Sequence, residues 1–401
     1  MIRLPILFFL FISVSSVFSQ QTIQEKIEAT KKSDTLVIHE GVYKEHDITI
    51  SKPITIIGKG KVIIDAEKKG YVFKILSDSV ALKNIIIKNV GRSYTKDYAA
   101  IYVSRSNNLT IEKVTLENVF FGMLIEKSKN IHIKNSSISS EAKTEAKAGN
   151  GIHLWHCSNA IIDGNELHNL RDGIYFEFVK NSVVKNNHSH HNIRYGLHFM
   201  FSNNNEYSQN TFNNNGAGVA VMFSKYITMT HNKFLKNWGT ASYGLLLKEI
   251  YDAEIVKNEF SENTVAVNLE GSTRINYTHN TFSNNGWALK VAGACYKNIF
   301  TKNNFLNNSF DVSYNSKIND NSFEGNYWSS YTGYDLNKDA IGDVPYRPVK
   351  LFSYIVNQTP ETIILLRSLF VDIINFSEKV TPVFTPKNLV DKAPLMQKYN
   401  D

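Results

Sequence analysis

From about residue 100 onward, a small or short side chain is repeatedly followed by apolar residues at alternate positions. The pattern runs Ala100-Ile101-Tyr102-Val103, Gly122-Met123-Leu124-Ile125, Gly151-Ile152-His153-Leu154, Gly173-Ile174-Tyr175-Phe176 and Gly196-Leu197-His198-Phe199. It continues as Gly218-Val219-Ala220-Val221, Gly244-Leu245-Leu246-Leu247, Ala266-Val267-Asn268-Leu269, Ala288-Leu289-Lys290-Val291 and Asp311-Val312-Ser313-Tyr314. Period-two runs of this kind predict short strands with one buried face. Most steps between them are 22 or 23 residues, and two longer steps of 29 and 26 predict loops inserted near 141–148 and 237–242. An asparagine column keeps the same phase, at Asn165, Asn187, Asn210, Asn232, Asn258, Asn280 and Asn304. Its amides suit tight turns and can bond to the coil above and below.

Short strands, a fixed period and a stacked turn residue together predict an all-β fold, a right-handed parallel β-helix of ten or more coils. The leucine spacing of a leucine-rich repeat is missing. A solenoid needs covered ends, and Ile23, Ile27 and Thr30 lie at helical spacing within 22–32, suited to capping the first coil. Regularity stops near Trp328, so the β-helix with its cap is assigned to 20–330 and a different C-terminal extension to 331–401. In that extension Thr359, Pro360 and Glu361 read as the start of a helix. Its apolar residues Ile363, Leu366, Phe370 and Ile373 are joined by Ile364, Leu365, Leu369 and Ile374, giving a face broad enough to need company on more than one side. Such a helix suits either a lid on the last coil or a docking surface.

The N-terminus changes the setting. Arg3, the apolar run from Leu4 to Ile12 and the Val17-Phe18-Ser19 exit read as a signal peptide (residues 1–19) cleaved near Ser19, and the apolar run is too short for a membrane span. The formal charge of +7 comes from scattered Lys and Arg without a dense basic block, so nucleic acid is not an expected partner. Only two cysteines, Cys157 and Cys295, are present, too few and too distant for a disulfide framework.

Several motifs are more specific than the repeat. They are Arg194-Tyr195-Gly196-Leu197-His198-Phe199-Met200-Phe201-Ser202, Gly216-Ala217-Gly218-Val219-Ala220-Val221-Met222, Gly325-Asn326-Tyr327-Trp328, Gly342-Asp343-Val344-Pro345-Tyr346-Arg347-Pro348, Leu366-Arg367-Ser368-Leu369-Phe370-Val371-Asp372 and Pro382-Val383-Phe384-Thr385-Pro386. With these the chain resembles the NosD family of periplasmic copper-processing β-helix proteins. The resemblance implies a non-enzymatic role in maturing nitrous oxide reductase. Its implied partners are an ABC-type permease and ATPase, a copper chaperone lipoprotein and the apo reductase. Membrane contact is then made only through the permease, and the location is the periplasm.

Alternation places Leu197, Phe199 and Phe201 inside the coil and points His198 and Met200 outward, with Met222 at the position of Met200 one coil on and His153 two coils before. Thioether and imidazole are suitable ligands for Cu(I), so His198, Met200, Met222 and the more peripheral His153 form a copper candidate. An ordinary strand face used for docking is the alternative. A second cluster, His188, His190 and His191 with His168 one coil earlier, reads either as a metal site or as the chance harvest of polar turns. Asp335, Asn337, Asp339 and Asp343 occupy positions 1, 3, 5 and 9 of a calcium-type loop, although Ala340 replaces its turn glycine and the closing Glu is absent. An acidic solvated loop without calcium fits as well. Leu366, Arg367, Phe370 and Ile373 are the expected docking residues for the permease.

Two rival functions share the fold. A polysaccharide lyase or glycosidase needs paired carboxylates, whereas Glu177, Asp172 and Glu270 stand singly on the outward columns. A passive surface adhesin, or a carbohydrate-binding protein, explains the repeat but not the Met and His column.

Overall fold

Inward apolar residues that recur every coil can be buried only by stacking coils, and the chain does this. The structure, a computed structural model, describes residues 21–315, 319–380 and 389–400. The expected signal peptide and the motif at 382–386 lie outside the described residues. The rest forms a parallel β-solenoid of about 13 turns. A twelve-stranded front sheet takes one strand per coil, from Ile48–Ile50 to Phe310–Tyr314, and a 24-stranded back sheet forms the remaining sides. The two predicted insertions are loops, the first containing a short 3-10 turn at Glu145–Lys147.

Parallel stacking at ~4.8 Å puts equivalent side chains in contact from coil to coil. Phe212, Phe234, Phe260, Phe282, Phe305 and Trp328 therefore form an internal aromatic column, with successive ring centroids 5.6, 4.5, 5.0, 4.9 and 4.0 Å apart. The corners are held by amides. Each Asn side chain receives the backbone N–H and side-chain N–H of its counterpart one coil earlier, through Asn165, Asn187, Asn210, Asn232, Asn258 and Asn280. The next member is Asn303, not the expected Asn304. Asn304 instead bonds the backbone of Tyr399. A second ladder, Asn192, Asn215, Asn237, Asn263, Asn285 and Asn308, runs along another corner.

Both ends are closed. Helix α1 (Ile23–Ala29) covers the first coil with Ile23 and Ile27, its N-terminus held by a Thr22–Glu25 capping box and by Glu45, which accepts from the Ile23 and Gln24 amides. At the far end Val349 and Leu389 join the core. There the first Asn ladder ends on a carboxylate: Asp391 accepts from the Gly325 and Asn326 amides, the Asn326 side chain and the Trp328 indole.

The C-terminal helices differ from expectation. Thr359 both ends α2 (Leu351–Gln358) and, as expected, starts a helix with Pro360 and Glu361 in its first turn, but that helix is a short 3-10 segment, Pro360–Leu365, and Arg367 at φ +70° breaks the chain direction before α3 (Leu369–Val380). Phe352, Val356 and Val371 pack on Val265, Trp287 and Phe310 of the front sheet. The helices thus lie along the side of the solenoid instead of closing its end. Phe201 is a further departure. The strand Tyr195–Met200 ends before it, Phe201 turns at φ +49°, and its exposed ring stacks between Phe178 and Phe223 at 5.2 and 5.1 Å.

Candidate functional site

Strand register on the front sheet builds the site. One outward column reads Leu124, His153, Tyr175, His198, Ala220, and its neighbour reads Glu126, Trp155, Glu177, Met200, Met222. Met200 and Met222 are thus direct neighbours on paired strands, and both are half-buried. Tyr175 lies between the two histidines, its ring 4.6 Å from His153 and 4.9 Å from His198, and its hydroxyl reaches the Met200 sulfur at 3.8 Å. Tyr195 covers His198 from the other side at 4.9 Å. His198 is consequently buried, not exposed as alternation alone implies.

Asp172 organises this face. Its side chain is fully buried and accepts from Arg194 Nε at 2.9 Å and Nη2 at 2.5 Å, and the Tyr195 amide at 3.3 Å. His198 Nδ1 lies 3.7 Å from Asp172 Oδ2, an electrostatic contact longer than a hydrogen bond. Burial pushes the Asp172 carboxyl up, but the bonds from Arg194 and the His198 contact outweigh it and hold the group below its usual range. Arg194 also reaches Glu145, on the first inserted loop, at 3.5 Å.

Both ring nitrogens of His153 and of His198 are buried without a hydrogen-bond partner. Buried imidazoles ordinarily find partners, so His198, on the same strand as Met200 and next to the strand of Met222, fits a soft ion, while His153 stands two coils earlier behind Tyr175. Burial, reinforced by Arg171, lowers the His153 pKa from 6.5 to about 4. The folded ring therefore stays neutral above about pH 4. The unfolded chain takes up a proton in this window and the folded chain does not, so stability is full above pH 6.5 and falls as pH drops toward 4. The loss is expected to approach roughly 3 kcal/mol. Denaturation midpoints at pH 7 and pH 4.5 check this, since His153→Phe should remove most of the acid-side slope.

The other expected residues are also placed. His168, His188, His190 and His191 gather on the back sheet, with His168 stacked on His190 at 5.1 Å and His188 on His190 at 4.2 Å. Burial and the neighbouring imidazoles hold the His190 pKa below its ordinary value. Asp335, Asn337, Asp339 and Asp343 share one exposed loop whose side-chain oxygens accept its own backbone amides, as from Ala340 and Lys338 to Asp335. Ala340 has φ +66°, the conformation for which calcium loops use glycine. Of the docking residues, Phe370 and Ile373 are exposed, as are Arg367 and neighbouring Leu369 and Phe376. Leu366 is not, because it packs against the Trp287 cluster. Cys157 and Cys295 are buried free thiols.

A family model described as "Periplasmic copper-binding protein (NosD)" matches residues 134–333, about half of the chain. The "Probable ABC transporter binding protein NosD" of Pseudomonas aeruginosa is 24% identical over 370 residues, covering 88% of this chain and 86% of the relative. The chain belongs to the NosD family. A NosD relative from Stutzerimonas stutzeri, with the same description, is 25% identical over 377 residues, covering 87% of this chain and 84% of its own. Among solved structures, the A-module of the mannuronan C-5 epimerase AlgE4 from Azotobacter vinelandii aligns with a TM-score of 0.56 at 13% identity, over 74% of this chain and 91% of the module. PfbA, a surface adhesin of Streptococcus pneumoniae, also gives 0.56 at 13% identity, over 69% and 83%. At such identity these likenesses show the fold alone. The NosD relatives are named as binding proteins, not enzymes.

Proposed function

We propose that this NosD-family chain is a periplasmic copper-handling protein that carries Cu(I) as cargo on its front sheet and works beside an ABC transporter. The observation carrying the reading is the face where Met200 and Met222 are paired on neighbouring strands, Tyr175 reaches the Met200 sulfur, and the buried His198 on the Met200 strand makes no hydrogen bond through either ring nitrogen. Thioethers and neutral imidazoles favour Cu(I) over hard cations. Met200, Met222 and His198 would hold the ion, with His153 behind Tyr175, while Asp172 and Arg194 fix the floor of the site. The half-buried thioethers leave the cargo open to exchange, as delivery by a lipoprotein chaperone and transfer to apo nitrous oxide reductase require. The exposed apolar side of α3 supports docking of the ABC permease.

The test is anaerobic Cu(I) titration of the mature protein beside a His198→Ala/Met200→Leu/Met222→Leu variant, with circular dichroism confirming the solenoid. One-site binding in the wild type, lost in the folded variant, is the expected result. Equal binding by both would move the cargo elsewhere. A second variant, Phe370→Ser/Ile373→Ser, removes exposed rather than packed apolar surface. It is expected to keep its fold and Cu(I) binding but to lose co-purification with the permease, and undiminished co-purification would refute this docking face.

A polysaccharide-directed reading draws on Tyr175, Arg194 and His198 standing together. Against it, Asp172 is fully buried and ion-paired, which withdraws it from acid–base work on a sugar, and half-buried Glu177 beside Tyr175 has Trp155 and Met200, not a second carboxylate, at its paired positions. Turnover of polyuronates by the purified chain would reverse this preference.

A further inference from the structure

On the back sheet, strand Glu166–His168 pairs with His188–His190, which pairs with Thr211–Asn213. Leu167 and Ser189 point inward and are buried, so Glu166, His168, His188 and His190 make a two-by-two patch on the outside. One ligand atom from each of Glu166, His188 and His190 lies within 4.8 Å of the others. Glu166 Oε1 is 3.4 Å from His190 Nε2, close to the ~3.3 Å between two donors on a tetrahedral ion with bonds of about 2.0–2.1 Å.

The remaining nitrogens are already engaged. His188 Nε2 lies 2.6 Å from the Asn213 side-chain oxygen, so it carries the proton and leaves Nδ1 as a lone-pair donor. His190 Nδ1 lies 2.7 Å from His191 Nδ1, and a proton on the His190 side leaves its Nε2 free toward Glu166. Metal-binding histidines commonly have this arrangement, one nitrogen on the ion and the other held by an outer partner. His168 stacks on His190 and covers that ring.

We infer that Glu166, His188 and His190 form a binding site for one divalent ion of the Zn²⁺ and Cu²⁺ class, oriented by Asn213 and His191, with the fourth position open to water. Two imidazoles and a carboxylate, without sulfur, select borderline divalent ions rather than Cu(I). The site is separate from the Met200–Met222 column and does not depend on it. The ion would also link two neighbouring coils.

Isothermal titration of the tag-free mature protein with ZnCl₂ tests this, with Co²⁺ absorption reporting tetrahedral geometry. The wild type is expected to take up one Zn²⁺ with a rise in Tm. Losing an outer partner alone costs metal affinity about 10–100-fold, so Glu166→Gln and His188→Asn are expected to weaken binding at least that far and to cancel the Tm rise. Both residues are exposed, and neither change removes core packing. The His198→Ala/Met200→Leu/Met222→Leu variant should bind Zn²⁺ as the wild type does. Absence of one-site binding in the wild type, or unchanged affinity in both Glu166→Gln and His188→Asn, overturns the assignment and leaves the Cu(I) reading untouched.

Discussion

Replacing Asp172 by alanine is expected to destabilise the central coils by about 3 kcal/mol and to abolish Cu(I) binding on the front sheet in the same variant. Removing one member of a buried ion pair strands the other, at a cost of about 3–5 kcal/mol. The lower end applies here because Arg194 is a third exposed while Asp172 is fully buried. The bidentate contact also sets the Arg194 plane over Tyr195, whose ring closes on His198. Asp172→Asn keeps the shape without the charge, so comparing the two variants separates electrostatics from packing. Chemical denaturation measures the first effect and Cu(I) titration the second. An Asn variant within about 0.5 kcal/mol of wild type would show that the ion pair contributes little. The pH dependence supplies an independent signature. The Asp172 carboxyl is lowered, so its contribution is present above the ordinary carboxylate pKa of about 3.9 and is lost as pH falls through its depressed value. Acid should therefore act in two stages, the His153 stage first and the Asp172 stage below it.

A comparable loss is expected from Asn232→Ala. The Asn232 side chain accepts from the Asn210 amide and side chain at 3.0 Å each and donates to Tyr207 O at 2.8 Å and to Asn258 at 3.0 Å. Deleting it orphans two donors and one acceptor in the buried interior, at about 1–3 kcal/mol apiece. A total near 4 kcal/mol is expected, with faster amide exchange in the coils on either side. Asn304→Ala, which loses only bonds to the Tyr399 backbone, should cost about 1 kcal/mol. Equal losses from the two variants would mean that stacking along the ladder adds nothing.

The same ladder shows what could be read in advance. Period-two alternation places Leu197, Phe199, Val219 and Val221 inside because a strand leaves no other choice. The rule fails one residue past the strand end, where Phe201 enters a left-handed turn. Asn303 and Asn304 are adjacent and look alike in the sequence, and only the hydrogen bonds assign Asn303 to the ladder. The second ladder has the same spacing as the first, yet it is hidden by the abundance of Asn. The Asp172–Arg194 and Glu166–His188 relations were legible in principle, since each spans 22 residues, one coil. Side-chain reach, including the diagonal from Glu166 to His190, was not. At the C-terminus the helix start at Thr359 follows from local rules and is present, but as a short 3-10 segment, and the preceding α2, whose Phe352 and Val356 pack on the front sheet, has no such local signal.

Asp391 gives the solenoid a direction of growth and a place where growth stops. Every Asn in the first ladder turns its oxygen backward and sends its backbone N–H and one side-chain N–H forward, so the sequence of amides resembles a polymer with a reactive end. A further asparagine at that end would leave N–H groups pointing onward, ready to recruit the strand edge of another molecule. A carboxylate has none to offer and terminates the series. The same residue that satisfies Gly325, Asn326 and Trp328 thereby closes the ladder without a side-chain N–H left to template another strand edge, the feature that makes open sheet ends prone to association.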